Sequence, residues 1–166
     1  TYALGMTDPI RNPDVLLNWP VNTPARGETM LRRPLYHNLM KNDQYFARYH
    51  ALFDQFLSEY LESGRCEAVI RETAALIAPY VQADPTAFCS YADHQTAVDT
   101  LLEVCTLRAR SVRGQLSGDY PITLAQRAEH PESGVDASHV DLPSLGDFDD
   151  LEEAGPRQRA ALEAEP

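Results

Sequence analysis

Lysine is nearly absent from this chain, although arginine is common. Of the 14 basic residues, Lys41 is the only lysine. A Schiff-base mechanism, or a lysine that binds phosphate, would therefore have to use Lys41. Lys41 lies in the polar stretch "MKND", which favours a solvated surface position over a catalytic one.

Positive charge is also scarce overall, since 25 acidic residues give a net charge of −11. The excess is uneven, because residues 117–166 hold 12 acidic and 3 basic residues and residues 1–116 carry a net charge of −2. Nucleic acids and anionic membranes both attract clustered basic residues. We therefore predict no nucleic-acid partner. We also predict no membrane span, because no apolar run approaches the roughly 20 residues needed.

Cysteine is too rare for a disulfide framework. The chain has Cys66, Cys89 and Cys105, an odd number without a CxxC pair, so neither such a framework nor a zinc site is expected. A single isolated disulfide remains an alternative. His37 and His50 lack cysteine or carboxylate partners at ligand spacing, and we predict no metal site there.

Several signatures of catalysis or targeting are missing as well. There is no glycine-rich phosphate loop, no GxSxG, no HExxH and no EF-hand pattern. No signal peptide is recognisable, and the chain begins with Thr1 rather than Met. We expect a processed or excerpted piece of a longer protein.

Proline and glycine dominate the first part of the chain. Residues 1–32 contain four prolines and two glycines and show no helical or strand period, so we predict an extended arm. Its apolar residues favour packing on the body of the protein, with a frayed end or linker as the alternative: Val15, Leu16, Leu17, Trp19 and Val21.

Helical periodicity begins after the arm and defines a predicted helical subdomain, residues 33–118. Four helices are expected, at Pro34–Met40 and at about residues 43–62, 66–81 and 91–115. Asn42 and Ser90 with Asp93 are predicted N-terminal caps, and Gly64 follows the end of the second helix. Pro79 should kink or end the third helix.

The second predicted helix carries an unusual number of aromatic rings. Its apolar side chains repeat at three and four residues and form one broad stripe, which we interpret as buried core: Tyr45, Phe46, Tyr49, Leu52, Phe53, Phe56, Leu57, Tyr60 and Leu61. A surface on which a ligand stacks is the alternative. Phe53 here and Leu101 on the fourth helix are predicted core residues.

Arginines border the apolar face of the fourth helix. Arg108 and Arg113 flank that face, and Arg110 lies farther round. We expect their stems to cover apolar surface and their guanidinium groups to meet carboxylates; phosphate binding is the alternative.

The residues after Gly118 change in character. Residues 119–166 combine low hydrophobicity with many acids, which predicts a disordered acidic tail. Within it, "LPSLGDFDDLEE" mixes acids with Leu and Phe and is a candidate docking peptide for a protein partner.

Five stretches, in order, carry a family resemblance: "YALG", "NWPVNTP", "RPLYHNLM" followed by "YFARYH", "IAPYVQADPTAF", and "LRARSVRGQLSG". Together they resemble the C-terminal part of CotH-type kinases, the spore coat protein kinase family, over about residues 1–118. The resemblance implies the C-lobe part of an atypical protein-kinase-like fold. It also implies an intact protein that uses ATP and Mg²⁺ to phosphorylate Ser or Thr on coat or surface proteins, at the spore surface or outside the cell.

The same resemblance places the reactive groups outside this chain. "ALG", Ala3–Gly5, matches the family's "AFG"-like element, which follows the metal-binding Asp and the nucleotide-binding residues. Asp8 and Asp14 come after that element and are not predicted metal ligands. We therefore predict no catalytic, cofactor-binding or metal residue here, an inactive fragment, and an arm whose residues 5–32 border the active cleft.

Two further functions remain open at this point. One is a non-catalytic helical scaffold or interaction domain with an acidic docking tail. The other is a structural coat protein whose tail sequesters basic ligands.

Overall fold

A computed structural model describes residues 12–24, 33–87 and 89–146 of the chain. This part is helical and contains no strand, so the predicted mainly α class is confirmed. The helices are α1 (Pro13–Leu17), α2 (Pro34–Met40), α3 (Asp43–Phe56), α4 (Arg65–Ala83), α5 (Tyr91–Ser117) and α6 (Leu124–Glu129). A π turn (Leu57–Leu61) extends α3, and a 3-10 turn (Leu142–Leu145) follows α6.

The predicted caps form. The Asn42 side chain accepts hydrogen bonds from the backbone N–H groups of Gln44 and Tyr45. Ser90 and Asp93 exchange hydrogen bonds as a capping box at the start of α5. These contacts satisfy N–H groups that have no partner within the helix, and α2, α3 and α5 begin at the predicted residues.

The helices differ from prediction in two details. The second predicted helix ends in the π turn rather than as regular α-helix, before Gly64 adopts a φ of 80°. Pro79 does not end α4, which continues to Ala83. Pro79 is exposed, so the carbonyl that its missing N–H leaves unpaired is open to water.

One hydrophobic cluster joins the two ends of the described chain. Its buried members come from α1, α5 and the residues after α6: Leu16, Leu17, Val104, Leu107, Val135, Ala137, Val140 and Leu142. Tyr120 and Leu145 pack against them. Half of these eight residues follow Gly118.

A second cluster holds the other face of α5. Val21, Leu57, Ala109 and Val112 are buried there, with Phe53, Leu61, Leu116 and Ile122 packed against them. The C-terminal half of α5 is therefore covered on both sides, and α5 is the central element of the described fold.

The predicted disorder of residues 119–166 is not what the structure has for residues 119–146, which we call the C-terminal segment. α6 begins with a Thr123–Gln126 capping box, and the segment then folds back onto α1 and α5. A few well-spaced apolar residues are enough for burial here despite the acidic composition. Leu142, the start of the candidate docking peptide, is part of the core. Residues 147–166 lie outside the described residues.

The predicted burial of the aromatic stripe is wrong for four of its nine members. Leu57 is buried, and Tyr49, Phe53, Tyr60 and Leu61 are half-buried, but Tyr45, Phe46, Leu52 and Phe56 are exposed. Periodicity shows which side chains share a face, whereas burial also needs a second element to cover that face. Leu101 is likewise only half-buried.

Residues 12–24, which we call the arm segment, contain more regular structure than predicted. Asn12 caps α1, and its side chain accepts a hydrogen bond from the Val15 N–H at 3.2 Å. Pro13 suits the first helical turn because its missing N–H needs no partner there. The rest of the predicted arm, residues 1–11 and 25–32, lies outside the described residues, and the three-part division of the chain stays a prediction.

None of the helices described between residues 12 and 146 is both long and apolar enough to cross a membrane.

Candidate functional site

Three polar side chains on one face of α5 bind the arm segment, two of them through its backbone and one through the Asn18 side chain. Arg108, Ser111 and Gln115 lie three and four residues apart, so they project from the same side of the helix. Ser111 and Gln115 are buried. A buried polar row in an otherwise apolar helix needs polar partners, and the arm segment supplies them.

Arg108 binds two backbone carbonyls instead of a carboxylate. Its Nη1 donates to the Leu17 oxygen at 3.0 Å and to the Trp19 oxygen at 2.7 Å. Burial lowers the pKa of Arg108 to about 10, which still leaves the guanidinium charged at neutral pH. The predicted carboxylate partner is replaced by main-chain dipoles, and the group serves to fix the arm.

Gln115 continues this contact toward the next residues of the arm segment. Its Oε1 accepts a hydrogen bond from the Val21 N–H at 2.8 Å, and its Nε2 donates to the Trp19 oxygen at 3.3 Å. Arg108 and Gln115 together therefore bind main-chain groups of Leu17, Trp19 and Val21.

Asn18 links the arm segment to both α5 and the C-terminal segment. Its Nδ2 donates to the backbone oxygens of Asp14 and Val135, each at 2.9 Å. Its Oδ1 accepts from the Val135 N–H at 2.9 Å and from Ser111 Oγ at 3.0 Å. Both amide hydrogens and both oxygen lone pairs are thus used.

Side chains from α2 and α3 bind the far end of the arm segment. Tyr49 Oη donates to the Val21 oxygen at 2.6 Å, and Tyr36 Oη donates to the Asn22 oxygen at 3.2 Å. His50 Nε2 lies 2.7 Å from Asn22 Oδ1. Tyr49, a half-buried ring of the aromatic stripe, therefore holds the arm segment together with Tyr36 and His50.

Burial sets the protonation of these groups. It raises the pKa of Tyr49 and, less strongly, that of Tyr36, so both phenols stay protonated and can donate. Burial also lowers the pKa of His50, which favours the neutral imidazole. Nε2 then carries the proton that Asn22 Oδ1 accepts.

Arg113 meets carboxylates, in line with the expectation for the flanking arginines. It donates to both carboxylate oxygens of Glu62, at 2.9 and 2.7 Å, and to Asp54. The pairing with Arg113 lowers the pKa of Glu62 and raises that of Arg113 itself. This network fastens α3 and the π turn to α5.

Asp14, one of the two acids that follow the "ALG" element, forms a structural hydrogen bond. Asp14 Oδ1 accepts a hydrogen bond from the Ala137 N–H at 2.7 Å, so it anchors the C-terminal segment. Asp8 lies outside the described residues. Within the ranges that the structure describes, no group of three or more His, Cys, Asp or Glu side chains could hold a metal ion. The described acids therefore do not fit the metal ion of Mg-ATP.

Comparison with known proteins decides the family. The family model described as "CotH kinase protein" matches residues 21–112, which is more than half of the chain. The chain belongs to the CotH kinase protein family. The resemblance read from the five sequence stretches is thereby confirmed. Among curated proteins and among solved structures, no match is found.

The CotH match begins at Val21, inside the arm segment, and ends at Val112, inside α5. Arg108, Tyr49 and His50 lie within it, whereas Asn18 and Gln115 lie outside. The anchoring of the arm segment therefore depends on the CotH stretch and on residues to either side of it.

Sequence reasoning missed the anchoring roles of Asn18, Ser111 and Gln115. Ser111 and Gln115 sit at helical spacing from Arg108, and no role was predicted for them from the sequence. The available signal was that spacing, because a regular polar row next to apolar Leu107 and Val104 is compatible with a second buried face.

Proposed function

We propose that this chain is the C-terminal helical portion of an ATP-dependent protein Ser/Thr kinase of the CotH type. The family match over residues 21–112 supports the kinase class. The nucleotide and metal residues belong upstream of Thr1 in this proposal, so the chain alone is inactive. Its protein substrates would be coat or surface proteins, and its location the spore surface or the outside of the cell.

The anchored arm segment is the observation that carries this proposal furthest. Phosphoryl transfer to a protein needs the acceptor hydroxyl held in a fixed position. Side chains from α2, α3 and α5 bind main-chain atoms of residues 17–22, which suits a segment that borders the cleft and positions a protein substrate. In this role α5 supports substrate binding and takes no part in the chemistry.

A direct test uses photo-cross-linking in the complete natural protein that contains this chain. A photoreactive amino acid replaces Pro24, exposed in the arm segment, or Glu72, exposed on α4. With a phosphoacceptor peptide and Mg-ATP, we expect adducts from position 24 and few from position 72. Equal yields from both positions would contradict the placement of the cleft.

The activity itself is tested separately. We expect transfer of labelled phosphate from ATP to a Ser- or Thr-containing protein by the complete natural protein. For this chain alone we expect neither transfer nor micromolar binding of Mg-ATP by calorimetry. Micromolar affinity of the chain would show that nucleotide-binding groups lie within it.

A non-catalytic scaffold is the second candidate, and the exposed apolar side chains favour it. Leu35, Leu76 and Tyr80 are 76%, 71% and 74% exposed. Apolar surface of this kind often marks a protein contact. In the kinase, this surface would contact another part of the same protein. In the scaffold, it would contact a different protein. Absence of phosphate transfer by the complete protein would select the scaffold.

A further inference from the structure

Two cysteine side chains that are distant in sequence meet between α4 and α5. Cys66 lies in the first turn of α4 and Cys105 near the middle of α5, and their Sγ atoms are 3.7 Å apart. Cys66 is buried and Cys105 is half-buried, whereas Cys89 is exposed. All three are thiols in this structure.

The two Sγ atoms are close to the distance at which a disulfide bond forms. A disulfide has an S–S distance of about 2.05 Å, so the two sulfur atoms would have to approach by less than about 2 Å. Cys66 lies next to the turn that contains Gly64, whose φ of 80° is in the left-handed region. An added Cβ at Gly64 would meet nothing within 4 Å. The chain can adjust at this end of α4 more easily than in the middle of a helix.

We propose that Cys66 and Cys105 are a redox-active dithiol that a small-molecule disulfide, such as oxidised glutathione, converts to a disulfide joining α4 to α5. The more accessible Cys105 thiolate attacks one sulfur of the small disulfide and releases one small thiol. The Cys66 thiolate then attacks the Cys105 sulfur of this mixed disulfide and releases the second. The two cysteines give up two electrons and two protons, and both small thiols carry them away.

Reaction at this pair is slow compared with reaction at Cys89. Burial and the neighbouring Cys66 raise the pKa of Cys105 to about 11, which leaves little thiolate at neutral pH. Cys89 is exposed and has no such neighbour among its described contacts. Formation of a mixed disulfide at Cys89 is therefore an internal control, which shows that the oxidant is active.

The disulfide would change how α4 is held. Cys66 is the buried side chain of this helix, and several of its large apolar residues are exposed. A covalent link at Cys66 would fix the start of α4 to α5 and close a loop of residues 66–105, which spans α4, the connection to α5 and about half of α5. Closing a loop of this length in the unfolded chain raises stability.

The test uses the full chain with Cys89→Ser, equilibrated in glutathione buffers of increasing oxidised fraction, then alkylated and mapped by peptide mass. We expect a monomer lighter by two hydrogen atoms, one linked peptide pair containing Cys66 and Cys105, and a melting temperature raised by roughly 5 °C or more. In the same buffers, Cys105→Ser should leave the buried Cys66 thiol free for alkylation after unfolding.

Other results would overturn the proposal. One is alkylation of both Cys66 and Cys105 at the most oxidising ratio, under conditions that fully convert Cys89 of the parent chain to a mixed disulfide. The proposal would also be overturned by a disulfide that joins two separate chains. A disulfide that forms only after denaturant is added would overturn it as well. The linked peptides are mapped in a chain that keeps both Cys66 and Cys105. This measurement therefore does not depend on whether a variant at either position folds.

Discussion

Asn18 is the residue on which three parts of the molecule depend. Its amide forms four hydrogen bonds, which join the arm segment to Ser111 on α5 and to Val135 in the C-terminal segment. A buried amide with all its capacity used fixes one arrangement of its neighbours, because any other arrangement leaves polar groups unpaired. Asn18 therefore specifies the position of the arm as well as stabilising it.

We expect Asn18→Ala to lower the free energy of unfolding by about 2–4 kcal/mol, because buried partners at Ser111 and Val135 lose their hydrogen bonds. Urea denaturation measures this change. Asn38→Ala is the matched control, since Asn38 is exposed on α2 and its loss should stay within about 0.5 kcal/mol. Equal effects of the two substitutions would show that the Asn18 network contributes nothing specific.

Such a residue is difficult to find from sequence. Asn18 lies in "NWPVNTP", a stretch that identified the family but gave its individual residues no role. Asn in a Pro-rich segment is typical of turns, and an interior position for it depends on partners more than 90 residues away in the chain. Local patterns carry no information about those partners.

Among the elements, α2 to α5 were predicted closely because their boundaries are encoded locally. Asn42, and Ser90 with Asp93, bind N–H groups within three residues of themselves. α1 was missed because it has five residues, too few for a periodic pattern. α6 was missed although Thr123 and Gln126 form a capping box, because the acidic composition around it was averaged over the whole tail.

Ion pairing between elements leads to a pH-dependent prediction. Arg113 lowers the pKa of Glu62 from its ordinary value of 4.5. The stability from this pair is therefore present above the unfolded-state pKa and is lost as the pH falls through the lower folded-state pKa. Arg113→Gln should lower the free energy of unfolding by up to about 1 kcal/mol at pH 7, since these groups are partly exposed. At acidic pH the difference should vanish.

Chemical denaturation of both proteins between pH 7 and pH 3 measures this effect. Arg71→Gln is the control, because Arg71 pairs with Glu67 within α4 at 2.8 Å. A pair of that kind contributes about 0.3–0.5 kcal/mol. A difference between parent and Arg113→Gln that is the same at every pH would rule out Glu62 and Asp54 as the partners that matter.

At the scale of the whole molecule, the described chain ends are packed together. α1 and the C-terminal segment share one hydrophobic cluster with Val104 and Leu107 of α5. The predicted boundary at residue 118 thus passes through a cluster rather than between a domain and a tail. Composition could not show this, because four apolar residues in a polar stretch change its average very little.

Two truncations test this arrangement. A chain ending at Gly118 loses Val135, Ala137, Val140 and Leu142, whose burial contributes several kcal/mol, comparable with the total stability of a small domain. We expect it to lose cooperative thermal unfolding or to melt at least about 10 °C lower. A chain ending at Gly146 keeps the complete cluster and should melt close to the parent. Similar melting of all three chains would mean that the C-terminal segment does not stabilise the core.

Apart from the side chains of Asn18 and Asn22, the helices anchor residues 17–22 through main-chain atoms, as the bonds to the oxygens of Leu17, Trp19 and Val21 show. Every amino acid brings the same carbonyl group. Substitutions at Pro24, which is exposed, can therefore alter the surface that this stretch presents while its path stays unchanged. Under the proposed function, selectivity for a protein substrate would change here by point mutation, without any compensating change in the helices beneath.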